Sequence, residues 1–422
     1  MNLLSIAARN LLRNRRRTAI TLAALVVGVG AMVGLRGFVN GLQYMLLENV
    51  VFGQLGAVQV HTRGYLANVQ ASPLTLDMAD SEELRRRIAS VPGVSQVSPR
   101  IVFGAMLSLP DAEGVSEEEA PARTGFLQVT AYDPALELLV TPQRARWLDR
   151  GALLSSVDAP ELLLNAELAR SLSAEVTGAQ VPDMQWPAVL AGDRDGALNG
   201  VAVRLAGTLK SAAPGDRRLG YLPLSTVQSL LRMEGRVTEY ALAVERLEDA
   251  PRVRSAVQAA LGSEYEVHTW DEVLPFLADL MKHQDSLFGI LTSVFLVTVL
   301  LGIVNVMLMN VLERVREIGT MLAVGMRRRQ IVMLFLLEGA VLGLVGGVLG
   351  ALVGAAVTLW LGQRGILMSA PGAAVDSLIR PSVTVMYLVR SVGLTTVGAA
   401  LSALWPAYRA AQLRPVEALA HT

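Results

Sequence analysis

Apolar residues in this 422-residue chain gather into four long stretches, at residues 18–35, 287–312, 331–361 and 383–407. Between the first and second they alternate with polar residues instead. A hydrocarbon core of about 30 Å takes about 20 residues of helix, so the pattern predicts four membrane spans, split one plus three. The layout that follows is an N-terminal amphipathic segment with the first span (1–45), a large domain outside the membrane (46–286), a second span (287–312), a short charged helical segment (313–330), a third span (331–361), a short external loop (362–382), a fourth span (383–407) and a tail (408–422). The first apolar run follows an arginine-rich stretch, as a secretory signal would. It is too long for that, and no small-residue cleavage site follows it, so it reads as a retained anchor.

The intervening region has a different period. "GAVQVHT", "VSQVSPRIVFGAMLSL", "GFLQVTAYD", "VAVRLAGTLK" and "TEYALAVERL" read as strands, and "SEELRRRIASV" and "APRVRSAVQAALG" as helices, which predicts an α+β fold. Ser81 marks a helix start and "VPGV" a stop. "GVSEEEAPARTG" and "AGDRDGALNG" read as exposed loops. A stretch near residues 141–160 offers a break between two subdomains.

Composition agrees with membrane insertion. Hydrophobic residues are 52% of the chain and charged ones 18%, with a formal net charge of +0 and a mean hydropathy of +0.43. That zero balance, with basic residues almost all arginine and lysine only at Lys210 and Lys282, argues against a nucleic-acid partner held by a broad basic surface. There is no cysteine for disulfides or thiolate chemistry. Arg9, Arg13, Arg15, Arg16 and Arg17 precede the first span, Arg314, Arg316, Arg327, Arg328 and Arg329 lie between the second and third, and Arg409 and Arg414 follow the fourth. The positive-inside rule puts these segments, and both termini, in the cytoplasm.

Catalytic patterns are missing. Neither lysine has the glycine-rich context of a phosphate loop, and "GVGAMVG" at residues 28–34 misses the dinucleotide spacing inside a span. His61, His268, His283 and His421 have no metal-ligand spacing and read as surface or capping residues. The expectation is therefore no catalytic, cofactor or metal site in the chain.

The membrane half is more informative. Gly339, Gly343 and Gly347 form one row at intervals of four, and Gly346, Gly350 and Gly354 another; small residues at that interval let helix backbones meet. Glu338 and Arg390 lie within spans and are expected to face protein, water or headgroups, at depths too different for mutual pairing. The stretch "LERVREIGTMLAVGMRRRQI", residues 312–331, carries seven charges in twenty residues. As a helix it puts Val315, Ile318 and Leu322 on one side and Glu313, Arg316 and Glu317 on another, with Gly319 and Gly325 as punctuation. It reads either as a turn carrying orienting arginines or as a docking helix for a cytoplasmic partner.

"ERVREIGTMLAVGMRRRQI", followed by "FLLEGAVLGLVGGVLGALVG" and closed by "PAYRAAQLRPVEAL", resembles the permease subunits of ABC transporters in the MacB, LolC/LolE and FtsX superfamily, also called type VII. The N-terminal "ARNLLRNRRRTAITLAALVVGVGAMVGLRGFVNGL" is similar to the same family's first helix. The resemblance implies an inner-membrane permease, paired with a second copy or a paralogue. Two ABC ATPase subunits would bind ATP and Mg in place of any cofactor here. It also implies that residues 313–325 are the coupling helix, with Glu313, Arg314, Arg316, Glu317, Ile318, Gly319, Val324 and Gly325 meeting the ATPase. An unfused chain with a large external domain is most like LolC/LolE, which implies extraction of lipoproteins or other amphiphiles, with a periplasmic lipoprotein or adaptor as a further partner. MacB-like efflux, FtsX-like transmission of force to an external partner, and a membrane-anchored receptor are the alternatives.

Overall fold

The computed structural model describes residues 15–71, 74–110, 123–178, 182–210, 216–369 and 374–412. Arg9, Arg13, Arg414, His421, most of the "GVSEEEAPARTG" loop and the end of the "PAYRAAQLRPVEAL" motif lie outside the described residues. The chain forms two compact units. One is drawn from residues up to Tyr44, Leu280–Ile366 and Leu378 onward; the other is Met45–Asp279 with Leu367–Ser377.

Among the described residues, four helices are long and apolar enough to cross a membrane. The first is Arg15–Val50, the second Pro275–Glu313, the third Arg328–Arg364 and the fourth Val385–Ser402, continued after a break by Leu404–Ala411. Each reaches past at least one end of the apolar run that marks it. Hydropathy registers only what hydrocarbon accepts, whereas a helix continues through polar residues until something stops it. Pro275 opens the second helix, where its missing N–H costs nothing. Pro406 breaks the fourth, because it cannot donate to the Ser402 carbonyl four residues back. Between the third and fourth helices, the expected loop holds a small hairpin, Ile366–Ser369 with Asp376–Ile379.

The third helix is the most buried of the four, and its two glycine rows take different neighbours. A Cβ on Gly339 would lie 2.8 Å from Ala399 O, and one on Gly343 2.6 Å from Ala399 Cβ and 2.9 Å from Thr395 O; Gly347 faces Val392 and Thr395. That row seats the fourth helix. Gly346 meets Leu25, Gly350 meets Val26 and Val29, and a Cβ on Gly354 would stand 2.7 Å from Gly30 O. That row seats the first. Two seams therefore run along one helix, a quarter-turn or so apart.

In the second unit eleven strands form one mixed sheet among the described residues, and Met78–Ala79 pairs apart from it with Arg236–Val237. Its spine is Val94–Ser108, which pairs antiparallel with Thr124–Tyr132 along most of its length, with Glu239–Val244 over its first half and with Ala188–Gly192 at its far end. Two pairs are parallel, Leu219–Pro223 with Thr124–Tyr132 and Glu161–Asn165 with Arg204–Leu209. The helix Glu82–Ala89 is capped by Ser81, whose Oγ accepts from Leu84 N at 3.1 Å. It joins Ala250–Leu261 in the apolar core, contributing Leu84 and Ile88 beside Val253, Val257 and Leu261. Residues 141–160, where the sequence places a subdomain break, hold the 3-10 turn Pro142–Trp147 and the strand Leu148–Gly151 of the same sheet. "AGDRDGALNG" is the tip of a hairpin, Ala188–Gly192 with Leu198–Ala202, and its turn is exposed as the sequence predicts; the Asp193 carboxylate accepts from Asp195 N and Ala197 N to close it.

His61 corrects an expectation: it is 1% exposed, not a surface residue. Its strand, Val58–Thr62, lies between two others, and aromatic neighbours on the same face cover the ring. The ring stacks on Tyr65 at 4.4 Å and meets Gln59 Oε1 at 3.1 Å. Burial, helped by the nearby His268, holds its pKa down to about 3.

Two outcomes follow. Gly354→Leu, which overpacks the seam with the first helix, is expected to destabilise the membrane unit by about 1–3 kcal/mol, read as a lower unfolding temperature in detergent. His61 stays neutral in the folded chain while the unfolded one protonates near pH 6.5, so the unfolded state binds the extra proton and stability falls below that pH. Going from pH 7 to pH 5 should remove roughly 2 kcal/mol. His61→Phe should abolish most of that slope in thermal denaturation.

Candidate functional site

The second and third membrane helices are joined by a short helix, Val315–Ala323. Arg314 separates it from Glu313, with φ −110° and ψ 16°, outside helical geometry. The far end is closed by paired backbone bonds, Met326 N to Met321 O at 3.0 Å and Gly325 N to Leu322 O at 3.1 Å. This closure needs a left-handed residue after the cap, and Gly325 supplies it with φ +98°. Gly319, expected to punctuate the helix, instead sits inside it on the buried side. A glycine there lets the helix lie close to what it packs on.

The eight residues singled out in the sequence separate into two groups. Ile318 is wholly buried, in a cluster with Val311, Ile331, Phe335, Ala407 and Ala410. Arg314 turns inward as well. Its Nε donates to Glu317 Oε2 at 2.9 Å and its Nη1 to Glu338 Oε1 at 3.1 Å. Glu338 belongs to the third helix and is 1% exposed. Burial works against the charge of Arg314, but these carboxylates outweigh it and hold its pKa above the ordinary arginine value. Arg314 and Ile318 thus fasten the short helix to the bundle, with Glu317 bracing the Arg314 guanidinium and Gly319 on the same buried side. Glu313, Arg316, Val324 and Gly325 lie on its exposed side, and Val324 is 84% exposed.

Glu338 is the residue whose part sequence reasoning left unassigned. A carboxylate in a span at the membrane centre costs about 2.5–3.5 kcal/mol by insertion scales, so a charge partner is expected. That partner comes from the connecting segment, 24 positions back. Arg390, the other ionisable residue in a span, is exposed on the fourth helix. Around the short helix the cluster is electrostatic and mechanical: it can hold a rigid amphipathic rod against the bundle, and it presents no nucleophile or acid–base pair.

Residues 18–260 match the model of the MacB-like periplasmic core domain, and residues 289–415 that of the FtsX-like permease C-terminal. The chain belongs to the MacB/FtsX superfamily of ABC transporter permeases. Among its relatives are the macrolide export ATP-binding/permease protein MacB of Nitrobacter winogradskyi, 26% identical over 423 residues, covering 96% of this chain and 58% of that protein, and the pyoverdine export ATP-binding/permease protein PvdT of Pseudomonas aeruginosa, 27% identical, covering 96% and 57%. The permease chain thus spans less than three-fifths of the length of these relatives. The crystal structure of the periplasmic region of MacB from Actinobacillus actinomycetemcomitans aligns with 55% of this chain and 97% of its own, at 11% identity and a TM-score of 0.35.

If Glu338 anchors the connecting helix, Glu338→Gln should raise amide hydrogen exchange across Val315–Ala323 by about tenfold, the equivalent of about 1.4 kcal/mol. Exchange along Arg328–Arg364 should stay as it was. Equal protection in the variant would remove Glu338 from that role.

Proposed function

We propose that this permease turns the work of an ABC ATPase into movement of its periplasmic domain, and that its cargo is an amphiphile, a lipoprotein or a small molecule, moved outward from the inner membrane or periplasm. The supporting observation is the short helix between the second and third spans. It is preformed, pinned to the bundle from one side, and exposes Glu313, Arg316 and Val324 on the other. A rod fixed on one face and charged on the other suits a cytoplasmic partner that pushes on it. Positive-inside arginines around it agree with that side, and with both termini in the cytoplasm.

The ATPase would hold the ATP and Mg, and residues 313–325 would be the coupling helix, with Arg314, Glu317, Ile318 and Gly319 passing load inward to the bundle. A second permease copy or paralogue would complete a symmetric assembly able to switch between two states. The relatives named for macrolide and pyoverdine export favour efflux of a small amphiphile over release of lipoproteins, and transmission of force to an external protein is the same machine with a different load.

The test reverses charge on the exposed side alone. In Glu313→Arg combined with Arg316→Glu, the inward contacts of Arg314 and Ile318 are left in place. The expected result is at least a tenfold loss of co-purifying ATPase, with membrane insertion unchanged. Wild-type co-purification would overturn the assignment.

A further inference from the structure

Among the described residues, the most deeply buried charges lie apart from the coupling segment. Beyond Val50 the first helix closes on a π turn, Val51–Leu55, ended by Gly56, whose N–H donates to Val51 O at 2.8 Å. Carbonyls at a helix end have no partner within the helix, and here two arginines take them. Arg144 donates from Nε to Gly53 O at 3.1 Å and from Nη2 to Gln54 O at 3.3 Å; Arg100 donates from Nη1 to Leu55 O at 3.0 Å. Arg100 is 1% exposed and Arg144 0%. Glu137 holds both, meeting Arg100 at 2.9 and 2.6 Å and Arg144 at 2.9 Å, while Ser98 and Thr141 donate to the same carboxylate. The rings of Tyr132 and Tyr221 flank the Arg144 guanidinium at 4.8 and 4.5 Å. At Gly53 a Cβ would stand 2.0 Å from the Trp147 indole, so the turn is also wedged sterically.

A hydrocarbon cluster of the same volume would hold a sheet together at least as well, because burying paired charge rarely stabilises more than apolar packing does. What hydrocarbon cannot do is grip carbonyl oxygens. Cations at a helix C-terminus also meet the negative end of its dipole, and a forked guanidinium fixes direction as well as distance. We infer that Arg100 and Arg144, clasped by Glu137, are positioning residues that lock the end of the first membrane helix to the α/β sheet, so that displacement of the helix reaches the sheet instead of being lost in a loose joint. The lock stands on this geometry; its use in transport rests on the proposed function.

The natural absence of cysteine makes the test direct. Spin labels on Tyr44→Cys and Gln128→Cys, both exposed positions, in the full chain in lipid nanodiscs give a distance distribution spanning the lock. Arg144→Lys keeps the charge beside Glu137 but replaces the planar fork that spans Gly53 O and Gln54 O with a point-like ammonium that fixes no direction. The expected result is at least a twofold broadening of that distribution, with amide protection of Val94–Ser108 and Thr124–Tyr132 unchanged; Arg100→Lys should do the same. An unchanged distribution in a protected sheet overturns the inference. So does loss of sheet protection in both variants, since the cluster would then serve the fold of the sheet and not the attachment of the helix. No ATPase, nucleotide or cargo enters the measurement, so failure here leaves the transport reading standing, and failure of that reading leaves the lock.

Discussion

In lipid, apolar side chains gain nothing by meeting one another, since the solvent is as oily as they are. What holds helices together is how closely their backbones approach, and in this permease that approach is concentrated on the third helix. Gly339 and Gly343 bring it against Ala399 and Thr395, while Gly350 and Gly354 bring it against Val26 and Gly30. The first and fourth helices are both seated on this shared helix. Glu338, in the same helix as both seams, receives Arg314, and so the segment between the second and third spans is tied to the element that is itself the hardest to move.

That arrangement explains how charge is distributed around the short helix. One side spends Arg314, Glu317 and Ile318 on attachment, and the other keeps Glu313, Arg316 and Val324 on the surface. An amphipathic helix held only by apolar contact could slide along the bundle with little penalty. A hydrogen-bonded ion pair in a half-buried site resists sliding, because moving away leaves charge unpaired where water is scarce.

Much of this was legible in the sequence, and the parts that were not have physical reasons. Four spans and a large α/β region between the first two could be read from periodicity alone. Glycine rows at intervals of four announce close backbone approach, but nothing in the spacing says which helix each row receives. Helix ends were legible where chemistry stops a helix, as at Ser81 and Gly325, and illegible where a helix runs on through polar residues, as beyond residue 35. His61 and Arg100 escaped for a common reason. Alternation assigns polar residues in strands to solvent, yet residues 97–101 are buried in unbroken succession because both faces of that strand are covered. Pairing across long separations, such as Arg100 with Glu137, leaves no local trace at all.

The closure at Gly325 carries one more consequence. Because Met326 and Gly325 already satisfy the last carbonyls of the short helix, the rod exists in full before anything touches it. A protein that seats it in a groove has no disordered segment to freeze, and so forgoes the entropic penalty that ordering on contact would impose. Recognition would then be quick and nearly rigid, with a small heat-capacity change, closer to a key entering a lock than to a strap being fastened.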